Sequence, residues 1–85
     1  MGGTYQELLI AMGDHLMRQV ILIPDDEAGG YTVEVPSLPE CVTEGDTIDE
    51  ALANAREAIE SYEESFRLDG LPIPEDNILV RTVEA

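Results

Sequence analysis

The order of patterns along the chain predicts a two-layer α+β domain with elements in the order α-β-β-β-α-β. Three observations carry this reading. Near the start, a short run places apolar residues at helical spacing. Three brief β-rich runs follow, separated by Pro- and Gly-containing turns. A long capped amphipathic run then precedes a last β-rich stretch. Two such helices can cover one face of a four-stranded sheet. A right-handed crossover through the long helix sets the last strand parallel to the third, which makes the sheet mixed. The 85 residues suit a single domain over 1–85, with a short helix at about 4–13 and a core over about 16–83.

Thr4 and Glu7 have the spacing of a capping box, in which hydroxyl and carboxylate each satisfy a free backbone N–H. Tyr5, Leu8, Leu9 and Met12 then recur at i, i+3, i+4 and i+7, and Gly13 is a C-terminal stop. A helix this short is marginal alone in water and must pack on something. Residues 16–23 form a β-rich run, apolar on both sides over its second half and ended by Pro24. The polar turn that follows, 24–30, contains Asp25, Asp26, Glu27 and two glycines. Residues 31–35 alternate, with Tyr31, Val33 and Val35 on one face. Pro36 and Pro39 bracket the next bend, and 41–44 make a short third strand. Short connections of this kind make the three strands an antiparallel meander.

The strongest local signal is a second capping box at Thr47–Glu50. Behind it Ile48, Ala51, Leu52, Ala55, Ile59, Tyr62 and Phe66 form a helical stripe that runs to Gly70. Pro72 and Pro74 prevent the helix from resuming. This gives a helix of about 22 residues, roughly 33 Å long. Asp49, Glu50, Arg56, Glu57, Glu60, Glu63, Glu64 and Arg67 fall on its outer face, with Glu63–Arg67 an expected i,i+4 pair. Residues 78–83 are read as the last strand.

Charge narrows the range of functions. Four arginines and no lysine stand against 19 Asp and Glu, a formal net charge of −15. Direct nucleic-acid binding needs a basic surface to displace counterions, and anionic lipid needs Lys/Arg clusters, so neither is expected. A basic protein partner suits the charge. The apolar runs, 20–23 among them, are far short of the roughly 20 residues that span a bilayer, and no signal peptide is recognisable. With a single cysteine as well, the expected setting is a reducing cytoplasm.

Catalytic constellations are absent from the pattern. His15 is the only histidine and reads as a residue at a helix end, favourable to the dipole there. Ser37, Ser61 and Ser65 have no nucleophile-elbow context. Cys41 has no basic neighbour in sequence and reads as a structural thiol. Asp25, Asp26 and Glu27 lack the alternating twelve-residue ligand spacing of a calcium loop. Gly29 and Gly30 join two strands and open no helix, so they are no phosphate loop. No enzyme activity, metal or cofactor is expected.

A composite string is more specific. From Tyr31 the chain runs through alternating apolar residues to Pro36-Ser37-Leu38-Pro39-Glu40-Cys41, then Thr43-Glu44-Gly45-Asp46-Thr47, Glu50-Ala51, and finally Gly70-Leu71-Pro72-Ile73-Pro74. In content and order it resembles the HicB antitoxin family, over roughly 16–83. Most matching positions are framework: bends, caps and stops. Glu40 departs from the pattern, standing where the family usually has Gly. A left-handed backbone costs a residue with a Cβ, so a different bend is expected here.

The resemblance implies a partial RNase H-like fold without nuclease activity, since 20–23 offers no Asp for a catalytic metal. It implies an antitoxin that binds and masks a small basic HicA-like RNA-cleaving toxin. Many members add a C-terminal operator-binding domain; this chain ends about where one would begin, so operator binding by this chain is not expected. Asp25, Asp26, Glu27 and Glu34 are the candidate partner contacts, on the hairpin and the polar face of the sheet. Free sheet edges predict a homo-oligomer, a dimer or higher. The alternative function is an orphan structural or regulatory module of the same fold without a toxin.

Overall fold

The computed structural model describes residues 17–85. The helix expected at 4–13 and His15 lie outside the described residues. Three strands, β1 (Ile21–Pro24), β2 (Tyr31–Glu34) and β3 (Val42–Gly45), precede one helix, α1 (Ile48–Leu68). The strands form an antiparallel meander in the order β1-β2-β3, as their short connections require. Leu22 lies opposite Val33, and Val33 opposite Thr43. These three therefore share the face turned to α1, because residues paired across a sheet point to the same side.

The core sits between that face and the helix. Val33, Ala51 and Ala55 form one buried cluster, with Val20, Leu22 and Tyr31 packed on it. Val35, Leu38 and Cys41 form a second, under Ala58, Ile59 and Tyr62. The Tyr62 and Phe66 rings stack with centroids 5.0 Å apart. Small residues let the helix approach closely. A Cβ on Gly45 would come within 2.9 Å of the Glu50 carbonyl carbon and closer still to Ala51. The backbone of α1 thus rests directly on the end of β3.

The ends of α1 agree with the capping expected. Thr47 Oγ1 accepts from the Glu50 N–H at 3.1 Å. The return arm is displaced by one residue, since Glu50 Oε1 accepts from the Asp46 N–H instead of that of Thr47. At the other end Gly70 takes φ +69°. The Leu71 N–H donates to Phe66 O and the Gly70 N–H to Arg67 O, which is the Schellman pattern.

Several expectations are corrected. The fourth strand does not form: among the described residues the sheet has three strands, and 78–83 carries no ladder. The four-stranded mixed sheet is therefore replaced by a three-stranded antiparallel one. The tail does run alongside the approach to β1, with Arg18 donating to Pro74 O and Gln19 to Ile78 O. However, the Gln19 N–H goes to the Asp76 carboxylate and not to a backbone carbonyl. Pro72 and Pro74 have no N–H to offer. With its ladder partners diverted, the tail leaves Leu79, Val80 and Val83 exposed.

The bend at Glu40 also differs from expectation. Glu40 adopts φ +62°, the left-handed region that glycine would have occupied. The loop is closed by Leu38 N–H to Val35 O, Cys41 N–H to Leu38 O and Val35 N–H to Cys41 O. Burial of Leu38 and this set of bonds hold the bend despite the Cβ.

Helical spacing alone puts Glu63 on the wet face of the long helix and in a pair with Arg67. It is instead buried, 3 % exposed, and pairs with Arg18 at 3.0 Å, the Arg18 side chain being 1 % exposed. Arg18 also donates to Ser37 Oγ at 2.9 Å. Arg67 pairs with Glu64 at the surface. One buried guanidinium thus ties together the approach to β1, the bend after β2, the helix and the tail.

Candidate protein-interaction face

The side of the sheet away from α1 is the candidate site. Pairing places Ile21, Glu34 and Val42 in one row across it, and Ile23, Thr32 and Glu44 in the next. Ile21, Ile23 and Val42 are 41 %, 44 % and 56 % exposed. This answers why the first strand is apolar on both sides: one side packs on the helix, and the other is a mixed apolar and acidic surface. An open face of this composition is unusual for a solvated sheet, whose outer positions are normally polar.

An acidic pocket borders this face at the hairpin end. Asp25, Glu44, Asp46 and Glu50 line an open pocket of about 370 Å³, with Asn54 and Tyr31. Asp25 is held by its own turn, its Oδ1 accepting from the N–H groups of Glu27 and Ala28 at 3.0 Å each. Asn54 fixes the strand end by donating to Glu44 O at 2.7 Å. Among the described residues no arginine lines the pocket, so its four carboxylates have no cation among the described lining residues. Gly30, at φ +75°, passes so close that a Cβ there would lie 2.6 Å from Gly45 O, which seals the hairpin against the base of the pocket.

The four sequence candidates are distributed unevenly over this surface. Asp25 lines the pocket, while Asp26 and Glu27 are exposed on the turn beside it. Glu34 lies at the far end of β2, roughly 10 Å along the strand, in the row with Ile21 and Val42. Sequence reasoning missed Glu44, Asp46 and Glu50. Glu50 reads as a capping residue, a role it does perform; only the packing of the helix start against the strands brings it to the same pocket as the hairpin turn. The signal available was the acidic density of 44–50.

The remaining chemistry is structural. Burial pushes the Cys41 thiol above its ordinary range, and Arg18, a basic neighbour in space that the sequence did not reveal, opposes this only in part. Cys41 is buried just ahead of β3. Among the described residues no three His, Cys, Asp or Glu side chains are grouped to hold a metal ion. None of the described helices is long and apolar enough to cross a membrane.

Comparison with known proteins agrees with this geometry. The model of the HicB-like antitoxins of bacterial toxin-antitoxin systems matches residues 19–84. The chain is 46 % identical over 69 residues to the UPF0150 protein Ta0767 of Thermoplasma acidophilum, covering 81 % of this chain and all of that protein. It is 38 % identical over 61 residues to the UPF0150 protein ssr1765 of Synechocystis, covering 72 % of this chain and 77 % of that protein. Antitoxin HicB 1 of Photorhabdus laumondii is 40 % identical over 58 residues, 68 % of this chain but 37 % of that longer protein. With the antiparallel sheet, the capped helix and the bend at Glu40 all falling inside the matched segment, this chain belongs to the HicB-like antitoxin family.

Proposed function

We propose that the protein is the antitoxin of a toxin-antitoxin pair, and that it acts without catalysis by binding and masking a small basic HicA-like RNA-cleaving toxin. The observation that carries this reading is the pocket of four carboxylates, with no cation among its described lining residues, set beside an open apolar sheet face. A protein that recognises RNA phosphates presents a positive surface, and acidic groups in a fixed constellation compete for it. Complementary charge raises the encounter rate and fixes the docking register, while Ile21, Ile23 and Val42 supply apolar area that leaves water on contact. Asp25, Asp26, Glu27 and Glu34 are the proposed contacts, joined by Glu44 and Asp46.

Self-association belongs to the same reading. Among the described residues no strand pairs with the outer edge of β1, and the tail near it exposes Leu79, Val80 and Val83, so a second copy can cover both. Light scattering across a dilution series checks this, a monomer at every concentration being the contrary result.

Co-expression with a basic HicA-like toxin, such as one encoded in a neighbouring reading frame, tests the function. Rescue of growth and co-purification are expected for the native chain, and loss of both for Asp25→Lys combined with Glu44→Lys. A neighbour that is never bound, with another protein recovered instead, would favour the orphan-module alternative.

A further inference from the structure

The C-terminal tail leaves the body of the molecule on the same side of the sheet as the open face. Arg18 reaches Glu63 of α1, and Val20 and Leu22 pack in the core beneath that helix, so these alternate residues turn inward. Gln19 and Ile21 lie between them and turn outward, as alternation along an extended chain requires. The Gln19 side chain donates to Ile78 O, which moors the tail beside Ile21 at the border of the outer face. Beyond Ile78 the hold ends. Among the described residues, 79–85 make no hydrogen bond or ion pair, and all seven are exposed.

We infer that residues 79–83 are a lid that closes over the outer face of the chain's own sheet. Pattern and length both match. An extended 79–83 carries Leu79, Arg81 and Val83 on one side, an apolar–cation–apolar series. The row across the sheet is Ile21, Glu34 and Val42, an apolar–anion–apolar series in the same order from the edge where the tail is moored. Closure sets Arg81 on Glu34, and neither has an ion pair among the described residues while the lid is open. Leu79 to Val83 spans about 13 Å when extended, and the row about 10 Å, so an oblique crossing fits. Arg81 can lie about 10 Å from Ile78, and Glu34 is about 8 Å from Gln19, one strand across and two residues along. Closure also takes Leu79 and Val83, 79 % and 81 % exposed, out of water together with Ile21 and Val42. The lid thus offers the acidic face an arginine of its own where a basic partner would set one. It competes with the toxin for that face, a consequence that rests on the antitoxin reading.

Methyl NMR of the full chain tests the lid without any partner. Nuclear Overhauser contacts from Val83 to Val42 and from Leu79 to Ile21 are expected in the unsubstituted chain. They should be lost in Arg81→Glu and recovered when Glu34→Arg is added, which reverses the pair. Absence of the contacts from the unsubstituted chain would overturn the lid. Contacts that pass only between differently labelled copies in a mixed sample would overturn it too, and would give the tail to the self-association interface. Affinity for a basic HicA-like toxin is the second readout. Leu79→Ser with Val83→Ser leaves the charge unaltered and is expected to tighten binding about threefold, the factor for a face covered about two-thirds of the time. Unchanged or weaker affinity would overturn the competition. A chain that binds no such toxin fails the antitoxin reading alone, because the contacts are measured in the toxin's absence.

Discussion

Glu40 holds a left-handed backbone on a residue with a Cβ, and Gly45 holds a helix against a strand by having none. These two positions make opposite predictions. Glu40→Gly is expected to stabilise the fold by about 1 kcal/mol, since the left-handed conformation costs a residue with a Cβ roughly 1–2 kcal/mol and glycine returns part of that through its freer unfolded chain. Gly45→Ala is expected to destabilise by about 1–3 kcal/mol, because the new methyl meets the backbone of Glu50 and Ala51 and not a side chain that could turn away. Urea denaturation of both variants checks the pair. A destabilised Glu40→Gly would show that the Glu40 side chain supports the bend. The departure at Glu40 was readable from the sequence, but its outcome was not: whether strain bends a loop or is borne depends on the buried Leu38 and on three hydrogen bonds that only the folded loop provides.

Among the elements, α1 and the tail depend on groups contributed from elsewhere in the chain. Removing Glu63 would leave the Arg18 guanidinium buried without its counter-charge, so Glu63→Ala is expected to cost about 3–5 kcal/mol. Glu64→Ala, which breaks the exposed pair with Arg67, is expected to change stability by less than about 1 kcal/mol. Thermal unfolding of the two variants separates them. The tail is anchored through Asp76, whose carboxyl is held below its ordinary range chiefly by the hydrogen bond from the Gln19 backbone, with smaller help from Ile78, the Gln19 side chain and Arg18. A depressed carboxyl contributes stability that is present above the unfolded value, about pH 4, and is lost as pH falls through the lower folded value. Acid below about pH 4 is therefore expected to free the tail before the core unfolds. The Gln19 amide resonance, followed by NMR, should titrate in that range, whereas in Asp76→Asn it should not. The helix, its caps and the meander were readable from spacing alone, because each is specified within a few residues. The missing fourth strand was not, because the diversion of the Gln19 N–H to Asp76 joins residues 57 apart in sequence.

For the whole molecule the net charge of −15 has two consequences of opposite sign. Like charges crowd the folded surface, so added salt is expected to raise the melting temperature of the isolated protein. The proposed complex with a basic toxin should instead weaken as salt rises, since the Debye length falls from about 30 Å at 0.01 M to about 3 Å at 1 M. Calorimetry of the protein alone and a binding titration over the same salt series distinguish stability from recognition. A salt-independent affinity would assign the interface to Ile21, Ile23 and Val42 and leave the carboxylates with solubility alone.

The amino-acid sequence by itself determined the three strands of the antiparallel meander, the long capped helix with its stop at Gly70 and membership in the antitoxin family, because capping, alternation and turn chemistry act over a few neighbouring residues. It also showed an excess of carboxylates. Tertiary structure alone decided which of them matter together. Register brought Asp25 opposite Glu44, Asp46 and Glu50, left Glu34 at the far end of the strand, and drew Glu63 out of the wet face into a pair with Arg18. Those outcomes depend on contacts between residues far apart in the chain. Local pattern assigns a glutamate to a helix face, but a cation folded against it decides whether that face is wet.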